Sequence, residues 1–165
     1  MKVLGKRLTD YLYFQRVFIA LILVVGLAKL SLTSAGVSAG PLSWLNLTAI
    51  TTLGFVYYSI RVSTSGFGTY RHLLPLLLIQ NVLAQAIIIA GIALGIRSGR
   101  ENVFTIEERG GRYASAAIGW SWEQTASHIV FGIIALSLVW WGIGSIVMLL
   151  LNRMGTQGRR TAVSR

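Results

Sequence analysis

Two amide residues in the third long apolar segment are the first candidates for chemistry inside a membrane. Asn81 and Gln85 are four residues apart, so they share one face of a helix. Such amides can line a polar pocket for a ligand, or they can hydrogen-bond to a neighbouring helix. We favour interhelical hydrogen bonds. The second apolar segment could supply the partners from its hydroxyl groups, which belong to Thr48, Thr51, Thr52, Tyr57, Tyr58 and Ser59.

Lys29 is the only charged residue well inside an apolar segment. A lysine there can pair with an anionic ligand or with a carboxylate of a partner protein. It can also extend along the helix and place its ammonium among the lipid headgroups. Because Lys29 lies near the outer end of its segment, the sequence favours the headgroup interpretation.

Glu123 lies in the connection between the last two segments and His128 begins the last segment, so a carboxylate and an imidazole come close in sequence on the outer side. A metal site or an enzymatic site on the outer side is therefore an alternative. No HExxH or ExxH spacing supports it, and we expect a loop held by arginine–glutamate pairs. His72 and His128 are predicted at opposite membrane faces, about 30 Å apart, so they cannot ligate one haem within a protomer. No metal and no cofactor are predicted.

Several other classes of chemistry are excluded by residue content. The chain has no cysteine, which excludes disulfides, thiolate metal sites and thiol nucleophiles. No aspartate or glutamate falls inside an apolar segment, which argues against exchange of protons with a substrate through an intramembrane carboxylate. No phosphate-binding glycine loop, nucleophile elbow or catalytic triad is evident. The residue content therefore favours a protein that is not an enzyme.

The elements that must position these residues are membrane-spanning helices. The 165 residues are 54% hydrophobic and only 12% charged, against about 25% charged residues in soluble domains. A spanning helix needs about 20 apolar residues. Four segments approach or reach that length: residues 14–34, 42–60, 73–96 and 128–151. The first segment reaches the length only if Lys29 is counted as part of it. We predict an all-α integral membrane protein, a single four-helix bundle over residues 1–154, with a long outer loop at 97–127 and a flexible basic tail at 155–165.

The distribution of basic residues predicts the orientation. The net charge is +10, and most bases lie before the first segment, between the second and third, and in the tail. Positive-inside counting puts these three regions, and both termini, in the cytoplasm, next to anionic lipid headgroups. The clustering at segment ends argues against nucleic acid as a partner. A short interfacial helix is expected within residues 2–16. The absence of cysteine and the plain basic tail favour a bacterial inner (plasma) membrane.

An alternative interpretation of the N-terminus is a cleaved signal peptide. Residues 37–39 are small enough to form a cleavage site after a basic start and an apolar run. Cleavage would leave three spans. The long basic region and Lys29 argue against it.

Glycine spacing suggests contact surfaces. Gly91 and Gly95 form a GxxxG pattern, and the last segment contains Gly142 and Gly144 with Ser145. Each of these small residues is predicted to allow close approach of another helix. We therefore expect an accessory, assembly or structural subunit of a membrane complex, with a protein partner or a second copy of the chain. The alternative is a transporter or binder of lipids or small molecules that uses Asn81 and Gln85.

Overall fold

A computed structural model describes residues 2–42, 44–98, 103–104 and 128–163, and it is mostly helical. Glu123 and most of the predicted outer loop lie outside the described residues. The elements in chain order are β1 (Lys2–Val3), β2 (Lys6–Arg7), α1 (Leu8–Phe14), α2 (Arg16–Ser34), α3 (Ala39–Leu42), α4 (Leu47–Thr64), α5 (Tyr70–Ser98), a π-helical segment (His128–Ala135) and α6 (Leu136–Val163).

Among the described residues, three helices are long and apolar enough to cross a membrane: Arg16–Ser34, Tyr70–Gly95 and His128–Arg153. The first is the segment that reached spanning length in sequence only with Lys29 included. Helix α4, the second predicted span, is not in this set. Its 18 residues span about 27 Å, but many are threonine, serine and tyrosine, and Arg61 lies in its last turn. The polar content of α4, and not its length, therefore separates it from the other three.

The chain begins with a β-hairpin where the sequence predicted part of an interfacial helix. Strands β1 and β2 pair antiparallel, with Lys2 opposite Arg7. The two turn residues, Leu4 and Gly5, both have positive φ angles, of 51° and 86°. This is the backbone of a two-residue hairpin turn, in which glycine is favoured. The helical prediction was therefore wrong before Leu8, because the Leu4-Gly5 turn reverses the chain.

Helix α1 is fixed at its start and along its buried side. The backbone N–H of Arg7 donates to Asp10 Oδ2 over 2.8 Å. The hydroxyl of Tyr11 is buried and donates to the Val3 carbonyl over 3.1 Å, which ties α1 to the hairpin. Burial, and secondarily the charge of Asp10, raise the pKa of Tyr11 above its usual value. Tyr11 therefore stays neutral and able to donate at neutral pH.

Helix α5 is the centre of the bundle, since it contacts α2, α4, α6 and the π-helical segment. Two apolar clusters pack along it. One lies at the end that carries α1 and centres on Tyr58, Leu73 and Leu76. The other lies towards the opposite end and includes Ile22, Ile87 and Phe104. We call the first end the basic end, because Arg16, Arg61, Arg71 and Arg153 occur there in sequence.

Helix α6 continues beyond the last predicted span. Its backbone is helical to Val163, whereas the sequence predicted a flexible tail from residue 155. Extending an existing helix needs no new nucleus, and the segment contains no proline to stop it. The two glycines in this stretch lower helix propensity but do not end the helix.

Candidate functional site

The amide side chains of Asn81 and Gln85 both contact other parts of the chain. Asn81 Nδ2 donates to Ser137 Oγ of α6 over 2.8 Å, and both side chains are buried. Gln85 Oε1 lies 2.8 Å from Nδ1 of His128, the first residue of the π-helical segment. These are contacts between helices of the kind that the sequence favoured over a ligand pocket. Both amides therefore hold the last helix of the bundle against α5.

The described partners of these amides lie outside α4. Two hydroxyls of α4 bond to their own helix: Thr51 Oγ1 donates to the Thr48 carbonyl over 3.0 Å, and Ser59 Oγ to the Phe55 carbonyl over 2.8 Å. Serine and threonine in helices commonly bond to a carbonyl three or four residues earlier. The described partners of Asn81 and Gln85 are instead Ser137 of α6 and His128 of the π-helical segment, and not the α4 hydroxyls that could have supplied them.

A third amide of α5 meets a residue that the sequence analysis missed. Gln80 Nε2 donates to Gln15 Oε1 over 3.1 Å, and both side chains are buried. Gln15 lies at the junction of α1 and α2. Among the described residues, Gln15 Nε2 and Gln80 Oε1 find no hydrogen-bond partner. A glutamine directly before Arg16, inside a predicted span, was the available signal, since an amide there needs a partner within the bundle.

The contact between Gln85 and His128 is partly buried and joins α5 to the start of the π-helical segment. The Gln85 amide packs against Gly132, where a Cβ would come within 2.6 Å of the amide carbon. His72 lies 13 residues before Gln85 on α5, or about 20 Å along the helix axis. Because His128 contacts Gln85, the two histidines are far apart along the axis of α5.

Lys29 is buried inside the bundle, and the expectation that it extends to the headgroups was wrong. Its side chain is 2% exposed. Its Nζ lies 5.2 Å from the centre of the Phe104 ring, within the range of a cation–π interaction. The ring comes from a part of the chain that was predicted to lie in the outer loop at 97–127. Phe104 therefore covers the ammonium, and sequence spacing could not have indicated a contact across 75 residues.

The predicted helix-packing glycines do different things. Gly91 faces the ring of Phe104, and a Cβ there would clash with it. Gly95 is buried. Gly142, by contrast, would meet no described atom within 4 Å if it carried a Cβ. Gly142 therefore packs against no described part of its own chain, and at Gly91 the neighbour is an aromatic ring.

Close contacts between helices occur at Gly144, which was predicted to allow such an approach, and at Gly26 and Gly54, which were not. A Cβ at Gly144 would come within 2.5 Å of Leu73 and 2.6 Å of Ser59 Oγ, so α6 approaches α4 and α5 there. Gly26 accommodates the side chain of Ile87, and Gly54 accommodates the amide of Gln80. The only sequence signal of Gly26 and Gly54 is their small size, which many exposed glycines share.

The polar contacts inside the bundle are suited to holding helices together. In the part of the chain that the structure describes, no three histidine, cysteine, aspartate or glutamate residues group in a way that could hold a metal. The only acidic residue described is Asp10, which lies outside the long helices. Comparison with protein-family models, with curated proteins and with solved structures finds no match.

Proposed function

We propose that the chain is a non-enzymatic membrane protein that acts by contact, as an accessory, assembly or structural subunit of a larger membrane complex or as a homo-oligomer. The observation that carries the proposal is the use of the α5 amides. Asn81 bonds to Ser137 and Gln85 to His128, so the polar groups best suited to a ligand pocket stabilise the bundle. This favours contact over the alternative of a transporter built on the same amides.

The proposal includes four spans across a bacterial inner membrane, with both termini in the cytoplasm. Helix α4 packs against α2, α5 and α6, as a fourth member of one bundle would. At the basic end, Ser63 Oγ of α4 donates to Asn152 Oδ1 of α6 over 2.9 Å. This contact supports ends of α4 and α6 at the same level. The arginines near that level then follow the positive-inside rule.

The outward face of α6 supports a protein partner. Leu138, Ile146 and Leu149 are exposed on it, and Gly142 lies one turn from Leu138 and one turn from Ile146. A glycine with open space beside it, between exposed apolar residues, lets another helix approach closely. The glycine is not needed for packing against a described part of its own chain. We propose that this face contacts the partner helix.

The test is extraction of the tagged full chain in native-lipid nanodiscs, followed by native mass spectrometry. We expect a stoichiometric assembly, either with one defined protein or between copies of the chain. Gly142→Ile, which adds bulk on the outward face of α6, should release the assembled partner. Ala90→Ile is the matched control, because Ala90 is exposed on α5.

The outcomes separate contact from ligand binding. A chain that remains a monomer in mild extraction, with no stoichiometric partner, contradicts the proposal. Equal loss of assembly in both isoleucine variants would show that added bulk acts through the fold, and the assignment of the α6 face would be wrong. Replacing Asn81 and Gln85 by leucine should weaken the fold and the assembly together. Loss of a bound small molecule with assembly intact would instead favour the transporter alternative.

A further inference from the structure

A groove of about 520 Å³ lies where the start of α2 faces the end of α4. It is lined by two arginines, Arg16 and Arg61, and by aromatic side chains that include Tyr13, Phe14 and Tyr57. Its volume lies within the range of about 300–1,000 Å³ that is typical of ligand sites. None of its residues belongs to the polar contacts between α5 and its neighbours. The groove is therefore a separate feature of the basic end.

Aromatic rings hold both guanidinium groups in this groove. Arg16 Cζ lies 4.5 Å from the centre of the Tyr13 ring, and Arg61 Cζ lies 5.6 Å from that of Phe14. Arg61 Nη1 also donates to the Tyr57 hydroxyl over 2.7 Å. Because the Tyr57 oxygen accepts this hydrogen, its own hydrogen is available to a further acceptor. A guanidinium carries several N–H donors, so both arginines retain donors beyond these contacts.

The positive charge of the groove favours an anionic ligand. Asp10 is the only carboxylate in the described part of the chain, and its Oδ2 accepts from the Arg7 backbone. It does not line the groove. Two guanidinium groups and a phenol form a donor set that matches a phosphate, which arginine binds through paired N–H groups.

The position of the groove favours a phosphate that belongs to a lipid. Arg16 is the first residue of a candidate membrane span. The same groove continues over Val17, which is exposed and apolar, and Phe18. Polar donors at one end and apolar surface at the other match a lipid headgroup with an acyl chain below it. A free phosphate has no apolar group that could contact the apolar part of the groove. Basic pockets between helices are a known form of headgroup site.

We propose that this groove binds one anionic phospholipid, with Arg16 and Arg61 on its phosphate and the Tyr57 hydroxyl as an additional donor. The lipid would fasten the junction of α1 and α2 to the end of α4. The site stands independently of the protein partner proposed above, because it uses other residues and a different face.

The test measures lipid preference of the full chain in nanodiscs that contain equal amounts of phosphatidylglycerol and phosphatidylcholine with identical acyl chains. Native mass spectrometry counts the retained lipids. We expect one phosphatidylglycerol to be retained in preference, by about fivefold for each of the two arginines. Arg16→Gln with Arg61→Gln should lose that preference, and Tyr57→Phe should reduce it without abolishing it. The matched control, Arg71→Gln with Arg153→Gln, removes the same charge at the basic end and should retain it.

Each alternative outcome overturns the proposal. Equal loss in the groove variant and in the control would mean diffuse attraction by the basic end. No loss in the groove variant would exclude the site. If excess inorganic phosphate displaces the lipid, and also binds the lipid-free protein in detergent, the ligand is a free anion. Arg16→Gln alone keeps the test decisive if the double variant does not fold, because Arg16 makes no contact with Tyr57 among those described.

Discussion

Asn81 Nδ2 lies 2.8 Å from Ser137 Oγ, and this contact between two buried side chains connects the central helix α5 to the last helix α6. We expect a double-mutant cycle with Asn81→Ala and Ser137→Ala to give a coupling of about 0.6 kcal/mol in the free energy of unfolding, and at most about 1.7 kcal/mol. The value is modest because the unfolded chain in the membrane also finds partners. Reversible unfolding in bicelles measures it.

The matched control for this cycle is the pair Ser63 and Asn152, which connects α4 to α6 at an exposed position over 2.9 Å. Water competes for these groups, so its coupling should be smaller. A coupling at Asn81 and Ser137 that is no larger than at the control pair would show that burial does not strengthen the contact.

Alanine at two glycines of α6 should have different effects on the free energy of unfolding. At Gly144 a Cβ would crowd Leu73 and Ser59, so Gly144→Ala should lower the free energy of unfolding by about 1–3 kcal/mol. At Gly142 a Cβ has open space among the described residues, so Gly142→Ala should be neutral or raise stability by up to about 1 kcal/mol through helix propensity. Thermal unfolding in detergent compares the two. Similar losses at both positions would contradict the packing described for α6.

Single cysteines can establish whether α4 crosses the membrane, because the natural chain has none. With four spans, Ser38→Cys between α2 and α4 should react with an impermeant thiol reagent from outside, and Ser65→Cys after α4 should be protected. Both positions are exposed, so burial does not confuse the result. If α4 does not cross, Ser38 and Ser65 lie on the same side and give the same labelling in intact cells. Lysed cells should label both residues.

Phe104 should protect Lys29 from chemical modification. The chain has only three lysines, Lys2, Lys6 and Lys29, so peptide mapping after treatment with a membrane-permeant amine reagent is unambiguous. Lys29 should react slowly in the natural chain, and Phe104→Ala should raise its modification several-fold relative to Lys6, because the ring packs over the ammonium. Phe131→Ala removes an exposed ring and is the control. An unchanged Lys29 signal in Phe104→Ala would refute the covering role.

The apolar and helical character of the chain could be predicted from composition alone. Long apolar runs and few charges predict membrane helices because burying a backbone in lipid requires internal hydrogen bonds. The structure confirms a mostly helical chain with three helices of spanning length and composition. The composition of α4 indicates a membrane span less clearly. Its hydroxyl groups lower its mean hydropathy, while its length and position still suit a span.

The partners of the polar residues were not readable in the same way. A four-residue spacing places Asn81 and Gln85 on one face, but it carries no information about which helix lies opposite. Ser137 and His128 are 56 and 43 residues away, and only the packing of α6 on α5 brings them near. The same holds for Gln15 and Gln80, which are 65 residues apart.

What the amino-acid sequence determined by itself is therefore the class of element: apolar helices, their approximate bounds and the end of the bundle that collects positive charge. Those features follow from local composition and from the cost of polar groups in lipid. Tertiary structure alone decided that Lys29 lies under Phe104, that Gly144 and not Gly142 is a close contact, and that Arg16 and Arg61 share one groove. Each of these depends on residues that are far apart in sequence. Their relative positions are defined only by the rotation and the depth at which two helices pack against each other.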